Sequence, residues 1–230
     1  MTLLLLLACG ELVPNVTMSG TIVDAPDEAA APLPGGTIVT RDGTGAQQGE
    51  ATADDQGDFS VAVPGGAFFT AELAADGTVP TTLSGVAASG DFEAGDGHLW
   101  SMAQADYDAL ATDFSTCQDI GEAGGVVTGQ VQLYTDGSDD QLVVNTARVW
   151  LIREDGTREQ ACYLDDDGVS DPDAQRTGAT GRFAFFGESG TAWVHLQYQD
   201  AAGWSEGWSW QVWVPDAGVA PLYPAWVTLD

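Results

Sequence analysis

An all-β protein made of two Greek-key β-sandwich domains joined by a short helix-containing segment is the fold class this chain predicts, on three observations. The first is composition: 230 residues, 44% of them apolar, include 29 Gly and 10 Pro between short β-branched and aromatic runs, the mixture of turns and strands that sandwiches use. The second is a phrase written twice. Residues 57–69 (GDFSVAVPGGAFF) return as residues 181–193 (GRFAFFGESGTAW), with Gly57, Phe59 and Gly66 matched by Gly181, Phe183 and Gly190. The third is the opening strand pattern, VTMSGTIV at 16–23, which returns as VVTGQVQLY at 126–134 with Gly20 matched by Gly129.

Taken in order, residues 16–23 read as a strand and residues 24–36 as a Pro-rich loop that cannot join a ladder. Residues 37–41 form a second strand, closed by the turn Asp42-Gly43-Thr44-Gly45. After a further turn at 54–57, residues 59–63 (FSVAV) are apolar on both faces except at Ser60, as in a sandwich strand. Pro64-Gly65-Gly66 then reverses the chain into residues 67–73. Residues 91–97 read as a loop. Residues 101–114 read as a helix, because Ser101 and Gln104 have capping-box spacing and Tyr107, Leu110 and Phe114 share one face. The second copy continues with a turn at 136–140 and a strand at 143–153, and Asp155-Gly156-Thr157 repeats Asp42-Gly43-Thr44. That turn repeats at an offset of 113 residues and the Gly-x-Phe hairpin at 124, so the second copy gains eleven residues between them. Residues 219–229 read as a Pro-punctuated edge strand.

The succession of Gly20, Pro32 to Gly36, Asp42-Gly43, Asp54 to Phe59 and Pro64-Gly65 resembles the carboxypeptidase regulatory-like, or transthyretin-like, domain over residues 16–88. The resemblance implies a small Greek-key sandwich of about seven strands, here in tandem, and an accessory fold without carboxypeptidase chemistry. It divides the chain into a signal peptide (1–8), a spacer (9–15), a first sandwich (16–90), a helical linker (91–123) and a second sandwich (124–230).

Five leucines at 3–7 are too few to span a bilayer but suit the apolar segment of a secretory signal. The ending Leu6-Leu7-Ala8-Cys9 resembles the lipobox of bacterial lipoproteins, although only Met1 and Thr2 precede the leucines and no basic residue does. It implies cleavage before Cys9, acylation of its thiol, and a lipid anchor in the membrane of the bacterial envelope, with the outer membrane expected. A buried N-terminal strand is the other reading. With Cys9 lipidated, Cys117 and Cys162 are the only pair left for a disulfide. No Cys/His spacing fits zinc.

Charge excludes some partners. Thirty-five acidic residues oppose six basic ones, all Arg, for a net charge of −29. Nucleic acid and anionic lipid headgroups are therefore repelled. The acidity serves either solubility or an acidic binding face. Its densest run, CYLDDDGVSDPDAQ at 162–175, offers Asp165, Asp166, Asp167, Asp171 and Asp173 as candidate calcium ligands. The run resembles the Asp-rich repeats of thrombospondin type 3 modules, but Tyr163 and Ala174 stand where acidic ligands belong. A solvated Asp-turn loop is the alternative, and no other cofactor is expected.

Five of the eight Trp lie between residues 193 and 213. In WSWQVWV, Trp208, Trp210, Val212 and Val214 share one strand face and Trp213 takes the other. Trp193, Trp204 and Trp213, near His195 and Gln197, are candidates for stacking on sugar rings; core filling is the alternative. His98 and His195 lack metalloprotease partners, and the chain has neither a GxSxG elbow, nor a phosphate loop, nor any Lys. The expectation is a non-catalytic envelope protein with a structural or protein-binding role, or alternatively a carbohydrate-binding one.

Overall fold

Strands this short, apolar on one or both faces, bury themselves only by stacking two sheets, and the chain does so twice. A computed structural model describes residues 14–26, 30–117, 124–134, 142–200, 203–204 and 207–228. Cys9 and the expected turn at 136–140 lie outside these residues. In the first copy, β1 (Asn15–Val23) is followed by β2 (Thr37–Asp42), β3 (Gln47–Thr52), β4 (Asp58–Pro64), β5 (Phe68–Ala74), β6 (Thr81–Val86) and β7 (Phe92–Trp100). One sheet runs β4-β1-β7 and the facing one β3-β2-β5-β6. Met18, Ile22, Ile38, Phe59, Val63 and Leu73 fill the space between them, each full burial contributing about 1.5–3 kcal/mol.

After α1 (Gln104–Asp113) the second copy begins with β8 (Gly125–Tyr134) and β9 (Leu142–Val143). It continues through β10 (Arg148–Arg153), β11 (Arg158–Gln160), β12 (Cys162–Leu164), β13 (Ser170–Asp171) and β14 (Arg182–Glu188). The chain ends with β15 (Gly190–Gln197), β16 (Gln199–Asp200), β17 (Gly203–Trp204), β18 (Trp208–Val214) and β19 (Val219–Thr228). Its sheets run β13-β12-β14-β8-β19 and β11-β10-β15-β18. Seven strands of each copy therefore correspond. In both, the repeated Phe lies opposite the repeated Gly, Gly20 against Phe59 and Gly129 against Phe183. A methyl group on Gly129 would lie 2.4 Å from the Leu222 carbonyl and 2.8 Å from the Phe183 ring, so this position admits only glycine.

Backbone hydrogen bonds correct the size of the insertion. Asp42 N–H donates to Ala46 and Gly45 N–H to Asp42, as Arg153 N–H donates to Thr157 and Gly156 N–H to Arg153. The hairpin thus repeats at an offset of 111. Ala53 N–H bonds Gly36 as Thr177 N–H bonds Ala147, which puts the later offset at 124 and the gain at thirteen residues. Matching Asp42-Gly43-Thr44 to Asp155-Gly156-Thr157 misled by two residues because Asp-x-Thr closes the same local turn at either place. Asp42 and Asp155 each accept the amide of the Thr two residues on. The extra residues form the β12–β13 hairpin, which covers the edge of β14 that its counterpart β4 leaves bare.

Four expectations about elements are overturned. Residues 91–97 are not a loop but enter β7, which pairs parallel with β1. The helix begins at Gln104 after Ala103, with no side-chain cap. Ser101 is instead buried, its hydroxyl donating to Thr78 Oγ1 at 3.0 Å. The strand expected over 143–153 is two, β9 and β10, and they join different sheets. The last strand is not simply an edge. β19 enters between β8 and β6, pairing Val219 with both Val126 and Thr81, and beyond Val219 it pairs with β8 alone. Pro221 therefore costs no ladder bond on the unpaired side.

This crossing joins the two copies into one sheet. Val219 N–H donates to the Pro80 carbonyl at 2.8 Å, and Val126 N–H donates to Gly218 at 2.9 Å. A third core covers the joint, drawing Val79 and Met102 from the first copy, Leu110 and Phe114 from the helix, and Leu164 and Phe186 from the second. Cys117, just beyond the helix, is disulfide-bonded to Cys162 with Cα atoms 6.1 Å apart. Gly218 has φ +115°, and a Cβ there would stand 2.2 Å from the Pro80 oxygen. Gly218→Ala is expected to cost at least about 1–3 kcal/mol in urea unfolding; an unchanged midpoint would show that the crossing is dispensable.

Candidate functional site

The outer face of the sheet β11-β10-β15-β18 gathers side chains that lie far apart in sequence. In β10, Val149 and Leu151 point into the core, so period-two alternation turns Arg148, Trp150 and Ile152 outward. In β15, Ala192, Val194 and Leu196 point in, leaving Trp193, His195 and Gln197 out. Trp208 and Trp210 pack on the core from β18, which turns Ser209, Gln211 and Trp213 out. Strand register then sets Trp150 beside His195 and His195 beside Ser209, with Ile152, Trp193 and Gln211 forming the next rung.

Trp150 and His195 stack, centroids 5.7 Å apart and planes 7° from parallel. Arg158 lies over the Trp150 ring at 4.1 Å, and Arg148 lies over Trp204 at 4.0 Å. Such cation–π contacts contribute about 0.5–1 kcal/mol when exposed. Arg148, Trp150, Arg158, Gln160 and Gln175 line one groove of about 420 Å³. Beneath it Tyr163 is fully buried, its hydroxyl donating to the Val149 carbonyl and accepting the Val149 N–H, both at 2.8 Å. Burial pushes that phenol up to about 12, so it serves as an uncharged anchor between β12 and β10.

His195 Nδ1 and Ser209 Oγ are 2.6 Å apart. The pair has the composition of a nucleophile and base, but the two residues lie directly opposite on adjacent antiparallel strands. Burial, and then the positive charge of Arg158, hold His195 below its usual pKa.

The aromatic residues anticipated from sequence separate into two settings. Trp193 is half-buried on the outer face and Trp204 is 38% exposed. Trp213 is half-buried against the first copy: its indole ring abuts the turn at Gly45 and its backbone N–H donates to Ser84 Oγ at 3.2 Å. It therefore lines the joint between the copies, away from the groove. Trp150, Arg148 and Arg158 were not singled out from sequence. The alternation in RVWLIR places Trp150 outward, but nothing local reveals which residues flank it across the sheet.

The five aspartates do not converge. Among the described residues no group of three or more acidic, His or Cys side chains is placed to hold a metal ion. Asp165 accepts the amides of Asp167 and Val169, Asp166 that of Ala179, and Asp171 that of Asp173. These carboxylates accept backbone amides within the loop and its neighbouring turn.

No protein-family profile matches the sequence, and no curated protein matches it. Solved structures with similar chain traces include the minor pilin GBS52 of Streptococcus agalactiae, at 13% identity and TM-score 0.33, covering 94% of this chain and 96% of that one. The Bacillus anthracis TIE protein aligns at 10% identity and TM-score 0.31 over 94% of this chain and 34% of its own, so this chain spans about a third of it. A DUF3823 family protein from Bacteroides ovatus aligns at 7% identity and TM-score 0.30, over 85% and 98%. Scores this low carry no argument about activity.

The His195 environment makes a pH prediction. Its folded pKa is lowered from 6.5, so below that value the unfolded chain binds the extra proton and the folded chain resists it. The stability that native protein holds relative to His195→Gln is expected to be constant above about pH 6.5 and to fall on acidification. Paired urea titrations from neutral to mildly acidic pH test this; a pH-independent difference would refute it.

Proposed function

We propose that this protein is a non-catalytic, lipid-anchored module of the bacterial envelope, and that the outer face of its second sandwich is a carbohydrate-binding surface. The anchor rests on Leu6-Leu7-Ala8-Cys9. Among the described residues no helix is long and apolar enough to cross a membrane, and acylation of Cys9 supplies attachment without one. The structural role is supported by the continuous sheet and shared core that join the two sandwiches, which suit a stiff body held off a membrane.

One observation carries the binding role: Arg148 and Arg158, each over a Trp ring, line a single groove on the sheet face that also carries half-buried Trp193. Flat apolar rings edged by amide and guanidinium donors are what sugar rings with equatorial hydroxyls require. Ligand pockets of this kind typically run about 300–1,000 Å³, and this groove falls within that range.

Two measurements test the proposal. Membrane fractionation is expected to find the native protein in the pellet and Cys9→Ser in the soluble fraction; identical distribution would remove the anchor. Intrinsic tryptophan fluorescence against a panel of neutral and acidic polysaccharides is expected to change with at least one. Trp204→Ala is expected to weaken that binding about tenfold, as stacked aromatics contribute on the order of 1 kcal/mol or more. No response to any member would sink the carbohydrate role.

A further inference from the structure

Three of the six arginines face a carboxylate. Arg41 lies 3.9 Å from Glu72, Arg153 pairs with Glu159, and Arg182 bonds Asp113 at 2.6 Å. Arg148 and Arg158 instead lie on tryptophan rings, and among the described residues neither is ion-paired with a carboxylate. Both are exposed, and both line the same groove. Among the described residues of that groove none is acidic, in a chain with 35 acidic residues.

A guanidinium carbon about 4 Å above a ring suits a stacked plane, whose outward N–H edge is a planar fork matched to a carboxylate. Stacking also holds the fork in place before the ligand arrives, reducing the rotamer entropy lost on binding. The remaining polar lining is Gln160 and Gln175, whose amide nitrogens donate to the Ala174 and Asp173 carbonyls at 2.8 and 3.3 Å. Those bonds orient the two amides at the groove wall.

Resting on the carbohydrate-binding reading above, we infer that the groove between Arg148 and Arg158 selects a sugar bearing a carboxylate, a uronate in a short or sparsely charged glycan. The net charge of −29 repels a dense polyanion, but at physiological ionic strength screening acts over about 8 Å. A single carboxylate in the groove therefore meets the local arginines more strongly than the distant aspartates. Nucleic acid, with a charge every few ångströms, has no such escape.

Calorimetric titration of the full chain in detergent with trigalacturonate, with its methyl ester and with a neutral trisaccharide tests this. Trigalacturonate is expected to bind about tenfold or more tightly than the ester, the loss that follows when a charged hydrogen-bond partner is removed. Arg148→Gln and Arg158→Gln are each expected to lower trigalacturonate affinity about tenfold and to narrow the gap between the acid and its ester, as loss of a charged hydrogen-bond donor requires. Molar salt is expected to weaken binding of the acid form alone. Equal affinity for acid and ester, or binding of the neutral trisaccharide only, overturns the uronate inference and leaves carbohydrate binding standing. Binding of none of the three overturns it as well, and a silent polysaccharide panel would then remove the carbohydrate reading too. Circular dichroism of each variant keeps the result separate from misfolding.

Discussion

Where β19 enters between β8 and β6, the backbone at Gly218 approaches the Pro80 carbonyl too closely for any side chain. That approach lets Val219 pair with a strand from each copy, and the sheets of two sandwiches become one. A β-strand added at this point satisfies backbone donors that would otherwise be buried without partners at the joint. The third core then has a floor to pack upon. Phe114 is fully buried against Phe186, ring centroids 5.9 Å apart, and the helix covers a seam instead of linking two loose beads.

The insertion in the second copy is tied to the same joint. Its β12 strand lies beside β14, its Cys162 is bonded to the segment after the helix, and Leu164 belongs to the shared core. The disulfide closes a loop of 45 residues, which in the chain-entropy account restricts the unfolded state by up to about 4 kcal/mol. From the other side, Tyr163 hydrogen-bonds the backbone of Val149 in β10. The hairpin thus acts as a strap: it fastens the segment after the helix to one sheet and supports the strand that presents Trp150 to the outer face.

That outer face is where the charge distribution departs from the rest of the chain. Asp42, Asp54, Asp155, Asp165 and Asp171 sit at turns, where their carboxylates accept backbone amides. The two arginines of the groove lie over aromatic rings, an arrangement that needs no carboxylate. Trp213, on the same strand face as Ser209 and Gln211, turns against the first copy at Gly45. The joint therefore bounds the surface at one end, and the groove lies toward the other.

How much of this was legible beforehand differs by level. Periodicity and turn residues are local, so the residues alone are enough to read the all-β class, the two copies and the shared face of Trp208, Trp210, Val212 and Val214. Strand β7 was lost because residues 91–97 carry Gly, Asp and Glu, and only parallel pairing with β1 makes them a strand. Ser101 and Gln104 have capping-box spacing, yet the buried Ser101 hydroxyl bonds half-buried Thr78 instead. The thirteen-residue gain read as eleven because an Asp-x-Thr turn looks the same two positions along. What only the tertiary structure decided was the company residues keep across strands: Trp150 beside His195 and under Arg158, Trp213 against Gly45, β19 between the copies. Those neighbours are set by register and by the meeting of two sheets, and no local run of residues encodes either.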